Sequence, residues 1–199
     1  MRNFLLGAVE AGGTKMVCAV AREPGVLLAE DRFPTTGPGE TLRRVKDYFD
    51  RAQKEFGPLG AIGYGTFGPA VVSEGAAKYG TLLATPKPGW EGADVIGFLK
   101  RSFPGVGLAF DTDVNAAAMG EGFAGAARGM KNFIYITVGT GIGGGVMVAG
   151  KRLRTRLHAE MGHMLVPRQR GEVDGFSGVC PFHGGCLEGL ASGTAMSQR

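Results

Sequence analysis

Glycine clustering constrains this chain more than any other feature. Of 199 residues 36 are glycine, and the excess gathers at Gly12-Gly13, at Gly63, Gly65 and Gly68, at Gly139, Gly141, Gly143, Gly144 and Gly145, and at Gly184-Gly185. A residue without a Cβ turns tightly and lets a second backbone or a ligand come close. Clusters of this kind between apolar runs point to loops that hold something. With 10 prolines the composition approaches that of a low-complexity linker, but 44% of the residues are apolar, enough for one large domain or two small lobes.

The apolar pattern resolves into alternating elements. Residues 5–10 and 16–21 are short apolar runs joined by Ala11-Gly12-Gly13-Thr14-Lys15, which predicts two strands and a tight turn, with 26–33 as a third strand. From 40 to 56, Leu42, Val45, Phe49, Ala52 and Phe56 recur at three and four, an amphipathic helix stopped by Gly57-Pro58. Residues 61–66 read as a buried strand, 94–103 as a helix, 107–111 as a strand and 113–127 as an alanine-rich helix. The pair 133–138 and 144–148 encloses Gly139-Thr140-Gly141-Ile142-Gly143 in a second hairpin. Past Lys151 the periodicity fades into a loop-rich segment that carries every histidine. This order predicts an α/β domain over residues 1–105 and the start of another over 106–199.

Charge excludes several function classes. Twenty-two basic against 18 acidic residues give a net charge of +4, a modest surplus rather than a nucleic-acid footprint. The one dense basic run, residues 151–156, reads as a solvated loop in preference to an anion or RNA site. No apolar stretch reaches the length of a membrane span, and the run before Glu10 is too short for a secretory signal, so a cytoplasmic protein is expected.

Three groups of residues carry chemistry. The turns Gly12-Gly13-Thr14-Lys15 and Gly139-Thr140-Gly141 offer open backbone N–H groups and hydroxyls suited to phosphate oxygens. The first lacks P-loop spacing, and the second is followed by strand-like apolar residues where the Rossmann pattern of strand, GxGxxG and helix needs a helix; each alone is equally a plain hairpin, and two in one chain favour a nucleotide gripped from two sides. Asp113, at a strand-to-helix junction, suits an N-cap and also a base that takes a proton from an attacking hydroxyl. Finally, five of the six Cys and His residues lie between His158 and Cys186, where Cys180-x2-His183-x2-Cys186 follows His163. Two thiolates and two imidazoles form the tetrahedral set zinc prefers, against which buried cysteines with chance histidines are the weaker reading. His158 is left as a surface residue or an outer neighbour of the site, and Cys18, inside a strand, as core. Glu160 and Glu188 flank the knuckle, as solvated carboxylates or as acceptors for the hydroxyls of a polyol.

Taken together, EAGGTK, GTFGP at 65–69, TPKPGW at 85–90, DTDVNAAAMGE at 111–121, GTGIGGG, HAEMGH at 158–163 and CPFHGGCLEGLASG at 180–193 resemble the ROK sugar kinases, specifically their bacterial fructokinase branch. The resemblance implies an actin-like ATPase (ribonuclease H-like) fold, α/β in class, of two lobes with the second incomplete. It implies transfer of the γ-phosphate of ATP to O6 of D-fructose, with ATP, Mg2+ and Zn2+ as cofactors and a homodimer as the assembly. By similarity Asp113 is the base; Glu160, His163 and Glu188 contact the sugar; His163, Cys180, His183 and Cys186 bind zinc; and Gly12, Gly13, Thr14 and Lys15 face the phosphates with Thr140 and Gly141. Family repressors carry a DNA-binding helix-turn-helix before the first turn, and with nine residues before Glu10 a kinase is expected instead. The chain departs from the family's pattern at Glu10, where the wider superfamily has an aspartate near Mg2+, and at Thr194, often proline in this branch. It also ends at Arg199, where family chains continue into an adenosine pocket. A glucokinase or other hexose kinase, or a non-catalytic zinc- and sugar-binding remnant, are the alternatives.

Overall fold

The computed structural model describes residues 4–153, 159–168 and 175–199. They form two compact units, one reaching to Ala116 and the other built from Ala117–Leu153 and Ala159–Arg199.

The first unit is a five-stranded sheet. β1 (Leu5–Ala11), β2 (Lys15–Glu23) and β3 (Val26–Pro34) run antiparallel in succession; β4 (Leu59–Thr66) lies parallel to β1, and β5 (Gly107–Thr112) parallel to β4, in the order β3-β2-β1-β4-β5. Alternation along β1 turns Leu5, Val9 and Ala11 into the core while Ala8 and Glu10 stay exposed. α1 (Pro38–Phe56) opens on a proline, whose missing N–H costs nothing in the first turn, and covers the inner face with Leu42, Val45, Phe49 and Ala52. A Cβ on Gly7 would stand 2.7 Å from the Phe49 ring, so glycine lets helix and strand meet there. α2 (Val95–Ser102) is capped by Asp94, whose Oδ1 accepts from the Gly97 N–H at 2.7 Å. The sheet takes in residues 107–112, beyond the division at 105/106 read from the sequence, because β5 hydrogen-bonds to β4.

α3 (Asp113–Ala124) follows β5 directly. It is three residues shorter than the sequence suggests, since the Glu121 carboxylate folds back to accept the Ala126 N–H at 2.7 Å and closes the last turn. The second unit holds β6 (Phe133–Val138), β7 (Ile142–Val148) and β8 (Lys151–Arg152), an antiparallel sheet in chain order. Val138 pairs with Ile142, so the second turn is only Gly139-Thr140-Gly141, and Ile142 and Gly143 already belong to the ladder. A one-turn 3-10 helix, Met161–His163, and two short helices, α4 (Leu187–Ala191) and α5 (Gly193–Gln198), complete the unit. No helix among the described residues is long and apolar enough to cross a membrane.

Candidate active site

In the first unit the Gly12–Lys15 turn is open to solvent and tightly closed upon itself. The Gly12 N–H donates to the Lys15 carbonyl at 2.9 Å, and a Cβ on Gly12 would lie 2.9 Å from that same oxygen. Gly13, Thr14 and Lys15 are exposed, and nothing approaches within 4 Å of where a Gly13 side chain would be. Thr35 braces the turn twice, its hydroxyl donating to Gly12 O (2.7 Å) and its N–H to Thr14 O (2.9 Å). That segment is itself pinned by TPKPGW. Trp90 is fully buried, donates its indole N–H to Thr36 O at 2.8 Å and meets Phe67 edge-to-face, while Lys87 Nζ donates to Thr35 O at 2.9 Å. Phe67, from the GTFGP motif, donates its N–H to Ala11 O at 2.7 Å. Both motifs thus support the first turn.

Asp113 is the first residue of α3 and is half-buried. The capping role that competes with a chemical one falls to its neighbour, since the Thr112 hydroxyl accepts from the Asn115 N–H at 3.4 Å. Asp113 Oδ1 accepts from the Val114 N–H at 2.8 Å. Below it, buried Asp111 accepts from the Thr112 N–H and from Asn115 Nδ2, each at 2.8 Å, which locks strand to helix. A Cβ on Gly65 would stand 3.0 Å from Ala116 Cβ and 3.4 Å from Asp113 Cα, so β4 and the first turn of α3 pack closely at this glycine.

In the second unit the Gly139-Thr140-Gly141 turn is clasped from α4 and α5. Gly193 N–H donates to Gly139 O (2.7 Å), the Thr194 hydroxyl to Thr140 O (2.8 Å), and the Ile142 N–H donates to Glu188 Oε2 (2.9 Å). None of these contacts is legible in the sequence; Ser192 starts the helix that supplies two of them, its side chain accepting from Ala195 N–H at 3.2 Å. Thr194, the departure from the branch, has a defined use here.

Beside this clasp the structure brings together His163, Cys180, His183 and Cys186, one ligand atom of each lying within 4.8 Å of every other. Cys180 Sγ is 3.5 Å from His163 Nδ1 and 3.8 Å from His183 Nδ1, and Cys186 Sγ is 3.7 Å from His163 Nδ1. Bonds of about 2.3 Å to sulfur and about 2.0 Å to nitrogen give a tetrahedron S···N edges of about 3.5 Å, so this donor set fits a zinc ion. Burial raises the Cys186 thiol above its ordinary value, a cost to the thiolate that a bound cation offsets. Close glycine packing builds the knuckle: Gly184 is left-handed (φ 57°), and a Cβ on Gly178 or Gly189 would lie 2.2 or 1.8 Å from Gly184 O. Gly162 lies against β7, where a Cβ would collide with Ile142 O at 1.9 Å.

Glu188 Oε1 is 4.0 Å from His163 Nδ1, while Glu160 is exposed one 3-10 turn before His163. Glu160 adopts left-handed backbone angles (φ 33°, ψ 47°), uncommon for a residue with a Cβ. Cys18 is fully buried, as read from the sequence, and burial together with the nearby Asp31 pushes its thiol from 9.0 up to about 12. His158 and residues 154–156 of the basic run lie outside the described residues.

The ROK family model matches residues 6–199. The chain is 47% identical to a fructokinase of Pediococcus pentosaceus, over 98% of this chain and 65% of that protein. Among solved structures it resembles a ROK hexokinase from Thermus thermophilus at a TM-score of 0.76 and 31% identity, over 98% of this chain and 62% of that one. It likewise resembles a ROK family glucokinase from Streptomyces griseus, in complex with glucose and AMPPNP, at a TM-score of 0.74 and 31% identity, over 98% and 59%. The chain spans less than two thirds of the length of each of these relatives. Its fold is the actin-like ATPase fold of these sugar kinases, matched over part of their length.

Proposed function

The chain belongs to the ROK family, and from that premise we propose that it is an ATP-dependent fructokinase, or the portion of one that carries the catalytic motifs. The observation that carries the sugar preference is the gap in identity, 47% to a fructokinase against 31% to a glucokinase. The reaction we assign is that of an ATP:D-fructose 6-phosphotransferase working in the cytoplasm, where its two substrates meet.

In this reading the Asp113 carboxylate accepts the proton of the fructose O6 hydroxyl as a lone pair of O6 attacks the γ-phosphorus. The bond from that phosphorus to the bridging oxygen of ADP breaks, and its electron pair leaves with ADP. Gly12, Gly13, Thr14 and Lys15 on one turn, and Thr140 and Gly141 on the other, present N–H groups and side-chain donors to the phosphate oxygens. Magnesium, an oxygen-seeking ion, supplies charge neutralisation when bound, and exposed Glu10, two residues before Gly12, offers it a carboxylate. Glu160, His163 and Glu188 contact the sugar hydroxyls in this reading. Zinc, held by His163, Cys180, His183 and Cys186, supplies a rigid cross-link, because four protein donors leave no open position for substrate. Homodimer formation belongs to the same reading and is checked by sedimentation.

The alternative reading is a chain that binds zinc and hexose without turnover. A coupled assay of ADP release with fructose, glucose and mannose, run on zinc-loaded protein, decides between them. Turnover fastest with fructose supports the kinase. Hexose binding with no ADP released supports the alternative reading.

A further inference from the structure

We propose that Glu188 is a positioning residue that ties the Cys/His cluster to the Gly139-Thr140-Gly141 turn, so that filling the metal site orders the turn. Each link is short. Cys186, one of the four clustered side chains, is also the N-cap of α4, its Sγ accepting the Gly189 N–H at 3.4 Å, so the cluster fixes the first turn of that helix. Glu188 stands on that first turn. Its Oε1 lies 4.0 Å from His163 Nδ1, the atom that faces both cysteine sulfurs, and its Oε2 accepts the Ile142 N–H at 2.9 Å.

The fit of carboxylate against turn is close: a Cβ on Gly141 would stand 2.5 Å from Glu188 Oε2, so glycine at 141 serves this contact. Continuing along the chain, Gly193 N–H and the Thr194 hydroxyl hold Gly139 O and Thr140 O. Two of the turn's three carbonyls, those of Gly139 and Thr140, and the following amide are therefore held from the segment that starts at Cys186. A hydrogen bond to a charged acceptor is about twice as strong as a neutral one, which makes Glu188 the strongest of the three clasps. The strut stands on this geometry alone; its consequence for ATP rests on the function proposed above.

Amide hydrogen exchange of Ile142, measured without nucleotide or sugar, tests the strut directly. In zinc-loaded Glu188→Ala the Ile142 amide should exchange faster by about tenfold, with zinc content unchanged, whereas Glu188→Gln, whose amide oxygen can still accept, should restore most of the protection. Stripping zinc from the wild-type chain should accelerate the same amide, and should add little in Glu188→Ala. Wild-type exchange at Ile142 in Glu188→Ala, or full protection after zinc is stripped, would overturn the proposal. A second arm measures AMPPNP affinity by calorimetry: it should weaken in Glu188→Ala and recover in Glu188→Gln. A wild-type chain that binds no AMPPNP contradicts the proposed kinase function, while the exchange result still decides the strut.

Discussion

Gly162 has no room for a side chain, because β7 presents the Ile142 carbonyl where its Cβ would be. Gly162→Ala should therefore displace the Met161–His163 turn and with it the His163 ligand; zinc content measured on purified protein should fall below that of the wild type, and full occupancy would contradict the placement. Asp113 offers the opposite test, a change that leaves packing alone. Asp113→Asn should keep the melting temperature and lower turnover by roughly a hundredfold to ten-thousandfold; a coupled assay reading unchanged turnover would remove it from the role of base. Cys18 carries a pH dependence. Its thiol is raised from 9.0 to about 12 by burial first and Asp31 second, so the unfolded chain gives up this proton before the folded chain does. The stability held by the neutral thiol is complete below pH 9, and it is lost as pH rises through about 12. Native protein should also resist alkylation at Cys18 at pH 8 until denatured. Rapid labelling of the folded chain there would contradict its burial.

At the scale of elements, the sequence was most legible where an element is long and periodic. α1 shows Leu42, Val45, Phe49 and Ala52 on one face, and the β1–β2 hairpin has its glycines at the turn; both stand where the pattern put them. α4 and α5, of five and six residues, were invisible because neither completes the two turns over which a helical period can be read. The same limit hid the clasp on the second turn, which is made by the Gly193 N–H, the Thr194 hydroxyl and the Glu188 carboxylate on those two short helices. The cluster of His163, Cys180, His183 and Cys186 was legible from spacing alone, since ligand chemistry leaves its mark in residue type. TPKPGW carried a structural meaning the sequence did not disclose. Trp90 is a core wedge that holds Thr36, and Trp90→Ala should cost about 3–5 kcal/mol in urea unfolding. A loss below about 1 kcal/mol would contradict a packed role at that site.

For the whole molecule, the two units rest on unequal cores. The first buries Trp90, Tyr64, Phe49, Leu5, Met16 and Ile62 completely, whereas the buried apolar side chains described in the second are Ala118, Ala127, Met147, Cys180, Cys186 and Ala195. A small core gains from a staple, and the zinc proposed above at His163, Cys180, His183 and Cys186 would be one. Trp90 is the single tryptophan and reports on the first unit only. A chelator should leave its emission unchanged while residues 159–199 become sensitive to protease; a red shift that follows the proteolysis would show that both units depend on the metal. The proposed transfer of a phosphoryl group to fructose can be watched by phosphorus NMR of the zinc-loaded chain with ATP, Mg2+ and fructose. The resonance of fructose 6-phosphate should grow as that of the γ-phosphate declines, and an unchanged ATP spectrum from folded, metal-loaded protein would rule the transfer out.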